Sequence, residues 1–201
     1  ADASVAPCLC YAVEDGPVRL VMLDTMQPGS HSGHCPEAVA GWLERTLAAR
    51  PGVPTLLFMH HPPFVTGMGA MDEPFENVGR LADILSRSPW VRLCCGHMHR
   101  PIVTQWAGCI ALTSPAVSMQ IDLDLSPEGG DTFRMETPGY LRDPDYGAAL
   151  MDVFHRCRRE LPIGYAGFHL PWVLEWLTAG RQYKLAYELV REFPLVPGRS
   201  S

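Results

Sequence analysis

Short apolar runs and helically spaced apolar positions alternate through the first half of the chain. "PVRLVMLDT", residues 17–25, is β-rich and ends on Asp24, the pattern of a buried strand running out into a loop. The loop "MQPGSHSGH" is dense in Gly, Ser and Pro. A helix should follow, with Pro36 in its first turn and Val39, Trp42, Leu43 and Leu47 on one face. "PGVP" stops it, and "TLLFMH", residues 55–60, predicts a second buried strand. A Gly/Met/Pro loop then leads to a helix near 75–87, with Val78, Leu81, Ala82 and Leu85 in register. "WVRLCC" predicts a third strand.

The rhythm then changes. "PIVTQW", "CIALTS", "MQIDLDL" and "TFRME" are short alternating runs separated by close turns, which predicts an antiparallel continuation of the sheet. Strand, helix, strand, helix, strand and meander make residues 1–136 a layered α/β domain. Residues 137–201 read as a helical extension. There Leu150, Val153, Phe154, Cys157 and Leu161 fall at helical spacing, and Trp172, Trp176, Tyr183 and Tyr187 are expected to pack.

Composition narrows the function classes. The chain has 201 residues and a formal charge of −6, so no broad basic surface is available to hold nucleic acid. No apolar run approaches the roughly 20 residues that span a bilayer, and a soluble, cytoplasmic protein is expected. Seven cysteines without a C-x-x-C pair fit small buried hydrophobes better than a zinc ribbon or a disulfide framework. Position 1 is Ala, which suggests a processed or truncated chain.

The chemistry gathers at two strand ends. "LLFMHHPP" and "RLCCGHMHRP" each place histidines just beyond an apolar run, where open α/β sheets bind ligands and metals. On an extended segment residues i and i+2 project the same way, so His97 and His99 should address one small volume. Gly96 should let the backbone turn sharply, and Pro62 and Pro63 should stiffen the loop behind His60 and His61. Neutral imidazoles in such numbers make a partial site for zinc, iron or manganese.

"LLFMHHPPF" followed about thirty residues later by "CGHMHRP" resembles two motifs of the calcineurin-like metallophosphoesterases. With "VRLVMLDT", "GWLERTL", "MDEPFEN", "TSP" and "QIDLDL", the likeness covers about residues 11–136 and points to the class III cyclic nucleotide phosphodiesterase and glycerophosphodiesterase branch. It implies the C-terminal half of a four-layer αββα sandwich with a two-metal site of iron, manganese or zinc that hydrolyses a small phosphodiester. It further implies that His60 and His97 bind one metal, that His99 binds the other, and that His61 lies just outside the ligand set as a catalytic helper. The family's D-x-H, G-D and G-N-H ligand motifs are missing as a block, so a C-terminal half is expected that holds at most a partial site and is inactive alone. Asp24 is expected to be a turn residue, and Met119 stands where relatives often carry His.

Two other classes compete. A degenerate scaffold could serve as a binding module or homodimer, associating through an open sheet edge and the Trp- and Tyr-rich tail. A Ser/His/Asp hydrolase fits poorly, since neither Ser114 nor Ser118 sits in a G-x-S-x-G elbow.

Overall fold

The computed structural model describes residues 2–136, apart from 15, 117–118, 127–129 and 131. All of these belong to the first of the two units into which the chain divides, Ala1–Val153. The helices expected after residue 137 lie outside the described residues, as does the boundary drawn there.

Six strands form one sheet. In chain order its strands are β1 (Tyr11–Val13), β2 (Arg19–Met22), β4 (Thr55–Met59), β6 (Val91–Cys95), β7 (Ile102–Trp106) and β8 (Cys109–Thr113). Two-residue strands β3 (Gly33–His34) and β5 (Phe75–Glu76) pair with each other, as do β9 (Gln120–Ile121) and β10 (Phe133–Arg134). Helix α1 (Glu37–Ala49) joins β2 to β4, and α2 (Val78–Ser86) leads into β6. The spatial order is β1-β2-β4-β6-β8-β7, with β2, β4, β6 and β8 parallel and the two edges antiparallel.

One face of the sheet carries the core. Val21, Leu57, Leu93, Cys95 and Ala111 alternate inward and pack with Val39, Leu43 and Leu47 of α1 and Leu81, Ile84 and Leu85 of α2. The helix faces read from the sequence are therefore the buried ones. Pro36 stands at the N-cap of α1, one residue ahead of its expected place, and α2 starts later than expected. Phe75 and Glu76 are held in the parallel pair with β3, and Asn77 takes a left-handed φ of 61° before the helix begins.

The sheet's far side departs from a simple antiparallel continuation. β7 does pair antiparallel with β8, but β8 inserts next to β6 in parallel and pushes β7 to the edge. Their hairpin turns through Ala107 and Gly108, both at positive φ (48° and 79°), the type I′ geometry that matches strand twist. The expected "MQIDLDL" strand shrinks to Gln120–Ile121.

The second sheet face is less covered. The register aligns Tyr11, Met22, Phe58, Cys94, Leu112 and Val103 in one row across it. Tyr11 and Val103 at its ends are exposed. Parallel sheets ordinarily have both faces covered. In a four-layer αββα sandwich this is the face turned toward the second sheet.

Arg19 is the largest fully buried side chain that is charged. It donates to the Thr46 carbonyl at 2.6 Å and to Thr55 Oγ1 at 3.2 Å, and sits 3.5 Å from Glu14, while burial pulls its proton affinity down. It thus ties β2 to α1 and β4 from within the core.

The hairpin gives a direct check on this geometry. Ala107 carries a Cβ in a left-handed conformation that favours Asn or Gly. Ala107→Asn should raise stability by about 0.5–1 kcal/mol, measured as a higher urea midpoint with an unchanged slope; a lower midpoint would contradict the type I′ assignment.

Candidate metal centre

The site is assembled by the carboxyl ends of three parallel strands. β2 ends into Asp24 and Thr25, β4 into His60 and His61, and β6 into Gly96, His97 and His99. Asp24 is a turn residue, as its position suggested: its carboxylate accepts from the Leu9 amide at 2.9 Å and the Met26 amide at 3.0 Å. The parallel ladder sets Met59 opposite Cys95, and the Gly96 amide then donates to the His60 carbonyl at 3.0 Å. That rung brings the two histidine loops together.

Glycine at 96 serves a purpose other than the expected sharp turn. Its φ is not positive; the left-handed residues are His97 (φ 66°) and His99 (φ 52°). A Cβ at 96 would stand 3.3 Å from His60 Nδ1, so any side chain there would press on the His60 ring. Gly33 is more tightly enclosed, from another side. A Cβ there would lie 2.4 Å from the Phe75 ring and 2.7 Å from His61 Cβ.

Three imidazoles converge. The ligand atoms of His60, His61 and His97 all lie within 4.8 Å of one another. His60 Nε2 and His97 Nδ1 are 3.3 Å apart, and the ring centroids stand 4.7–5.2 Å apart. Two nitrogens each about 2.0–2.1 Å from one tetrahedral ion would be roughly 3.3–3.4 Å apart. The spacing of His60 and His97 therefore fits two ligands of a single cation.

His99 is placed differently. Residues 97–99 are not extended, so the i, i+2 argument does not apply, and His99 turns its Nδ1 to the Met119 carbonyl at 2.9 Å. It remains close enough that its charge would oppose protonation of both His60 and His97. Met119 thus contributes its backbone carbonyl to the site, while its side chain is exposed. Arg100 forks onto Glu136 at 2.9 and 3.0 Å and donates to the Ile121 carbonyl, which pins the β9 segment against the histidine loop.

His61 enters the cluster, although the motif placed it outside the ligand set. It is 5% exposed, and its Nδ1 lies 2.9 Å from the hydroxyl of Thr25, itself 1% exposed. Burial, then the neighbouring His60 and His97, push its pKa down to about 4. His60 is lowered by burial, then by His97 and His99. His97 is lowered by burial, against the pull of Glu73 and with further opposition from His99 and His31. The three rings are thus held in the neutral form that a metal ligand needs.

Several participants had no sequence signal. Thr25 reaches His61 across 36 positions, His31 comes from a loop read only as Gly/Ser/Pro-rich, and Glu73 lies in "MDEPFEN", which is part of the likeness but gives this residue no role. His61, Glu73 and His97 line a cavity of about 250 Å³ whose apolar wall includes Phe64, Phe75 and Val78. Among the described residues, Glu73 Oε2 and His97 Nε2 are buried without a hydrogen-bond partner. Only the close pairing of "HHPP" with "GHMH" could be read from the chain itself.

The depressed histidines make stability depend on pH. Each binds a proton less readily folded than unfolded, so the unfolded chain holds more protons between pH 6.5 and about 4. This contribution is complete above 6.5 and is lost as the pH falls. The metal-free thermal midpoint should therefore drop between pH 7 and pH 4.5, with a shallower slope in His61→Gln; equal slopes for the two chains would refute the assignment.

No family model matches the chain. A probable glycerophosphodiester phosphodiesterase of Arcobacter nitrofigilis is 39% identical over 133 residues, covering 65% of this chain and 49% of that protein. A probable cyclic nucleotide phosphodiesterase of Rhodopseudomonas palustris is 34% identical over 69% of this chain and 52% of its own. The 3',5'-cyclic adenosine monophosphate phosphodiesterase of Escherichia coli strain K12 is 32% identical over 61% and 48%. The chain spans about half the length of the curated relatives it matches. A solved purple acid phosphatase from yellow lupin seeds aligns at a TM-score of 0.42 and 14% identity, over 71% of this chain and 28% of its own, and nothing is drawn from so loose a likeness. With two histidine loops meeting at the strand ends, the sequence matches support the likeness to the calcineurin-like metallophosphoesterases, and the half-length coverage fits the C-terminal half of such a domain.

Proposed function

We propose that this chain supplies the histidine half of a two-metal centre that hydrolyses small phosphodiesters. The 3.3 Å approach of His60 Nε2 to His97 Nδ1 carries the reading. His60 and His97 would hold one ion, of iron, manganese or zinc, and His99 would serve the second; the ions supply Lewis acidity toward the phosphate. The chain's own contribution is to orient two neutral imidazoles and to keep them partly sheltered beside a cavity with room for an ester group.

The substrate reading draws on relatives named for glycerophosphodiester and cyclic nucleotide hydrolysis. Both classes share a phosphodiester flanked by a hydroxylated carbon skeleton. Glu73, at the cavity wall with an unpartnered oxygen, is placed to accept a hydrogen bond from such a hydroxyl. Among the described residues no helix is long and apolar enough to cross a membrane; we place the protein in the cytoplasm.

A second reading is a binding module on the same scaffold, and the exposed apolar Ile110 and Val103 of the open sheet face favour it. Sedimentation of the metal-free chain distinguishes the two, since a well-behaved monomer speaks against association through that face.

Without the D-x-H, G-D and G-N-H motifs the three motif imidazoles amount to a partial centre. Calorimetry with the purified 201-residue chain should therefore show zinc or manganese binding that His97→Ala weakens more than about 10-fold. Hydrolysis of bis(p-nitrophenyl) phosphate should stay near background. No metal binding would sink the centre, and brisk metal-dependent hydrolysis would overturn the partial-site reading.

A further inference from the structure

The three-imidazole cluster presents an ambiguity that its distances alone leave open. His61 has its ligand atom within 4.8 Å of those of His60 and His97, close enough to act as a third ligand. Whether it does depends on which ring nitrogen carries the proton, because only the bare nitrogen can bind a metal.

We propose that Thr25 is a positioning residue that fixes His61 with its proton on Nε2, so that His61 offers the site an N–H donor and not a third metal-binding lone pair. This rests on reading His60 and His97 as metal ligands. The functional consequence is that His60 and His97 are the two rings of this cluster left to offer a lone pair to a cation.

The hydrogen-bond inventory of a buried hydroxyl carries the assignment. A threonine hydroxyl has one hydrogen to give and two lone pairs to receive. Thr25 Oγ1 lies 2.9 Å from His61 Nδ1 and 3.5 Å from the His61 amide nitrogen. The amide can only donate, so it takes a lone pair. Among the described residues the hydroxyl has no further partner, and Nδ1 is the one acceptor in reach of its hydrogen. If Nδ1 instead carried the proton, it would donate to Oγ1 and leave the hydroxyl hydrogen without an acceptor. Thr25 is 1% exposed, so water does not make good that loss.

The surroundings hold the ring. The backbone carbonyls of His31 and Thr25 both lie against the His61 ring as acceptors. The carbonyl of Thr25 accepts from the His34 amide at 3.1 Å and keeps one lone pair, so it is the acceptor left for an Nδ1 proton once the hydroxyl is removed. The ring is also held sterically, because Gly33 packs against His61 Cβ closely enough to exclude any side chain there. The pair is therefore fixed in position as well as in protonation pattern.

The test is long-range proton–nitrogen NMR of the imidazoles in the full ¹⁵N-labelled chain, at pH 7.5 with the metal removed. The wild type should show His61 with a protonated Nε2 and a bare Nδ1. Thr25→Ser should retain that signature, and Thr25→Val should lose it, moving the proton toward Nδ1, where the carbonyl of residue 25 can accept it. On adding zinc, the His60 Nε2 and His97 Nδ1 signals should shift while His61 keeps its Nε2 proton. A wild-type His61 protonated on Nδ1, an unchanged signature in Thr25→Val, or loss of the Nε2 proton on zinc binding would each overturn the proposal. The wild-type spectrum requires no variant, so a poorly folded Thr25→Val chain leaves the test decisive. If zinc moves none of the three rings, the metal reading fails while the tautomer assignment stands or falls on the metal-free spectrum.

Discussion

The parallel register of β4 against β6 is the constraint on which the site depends. Met59 pairs with Cys95, and one step further the Gly96 amide reaches the His60 carbonyl. Side chains alternate along a strand, so a slip of one residue would turn Leu57 and Leu93 away from α1 and α2. The hydrophobic core therefore enforces the register, and the register sets the histidine loops opposite each other. Burial of aliphatic side chains on one face is thus what positions polar chemistry at the rim.

Close packing then sharpens that placement. Gly96 and Gly33 are both sites where an added Cβ would crowd a histidine, from the β6 side and from the β3 side respectively. Two non-glycine residues, His97 and His99, accept left-handed backbone instead. Such conformations cost free energy and persist where surrounding structure holds them. Here the fork from Arg100 to Glu136 and the contact of His99 with the Met119 carbonyl do the holding. The strain falls on the two residues whose rings must leave the strand direction.

Much of the fold could be read along the chain because its central strands are short apolar runs and its helices have one apolar stripe. α1 and α2 bury the faces marked by Leu43 and Leu47 and by Leu81 and Leu85. The order of β7 and β8 was not readable, since alternation identifies a hairpin but does not say which arm meets β6. β3 and β5 were invisible for a different reason: two residues carry no period, and their pairing is decided by Cys35, Glu76 and Asn77 contacts distant in sequence. At the site, the two histidine motifs were legible as local patterns. Thr25, His31 and Glu73 were not, because each acts across at least 24 positions or through burial alone.

The chemistry of the cluster follows from treating its members unequally. Three neutral imidazoles at similar spacing suggest three equivalent ligands, yet their second nitrogens face different surroundings. His97 turns Nε2 into a buried cavity wall near Glu73, whereas His61 has Nδ1 against a buried hydroxyl. A metal ligand is defined as much by the partner of its other nitrogen as by its distance to neighbours. Glu73 raises the proton affinity of His97 against the effect of burial, and His97 Nδ1 stands 3.3 Å from His60 Nε2, the spacing of two ligands on one ion. A hydroxyl with no other outlet for its hydrogen makes the facing nitrogen an acceptor and forces the proton to the far side. On the proposed reading, groups outside the cluster thus separate two coordinating rings from one donating ring.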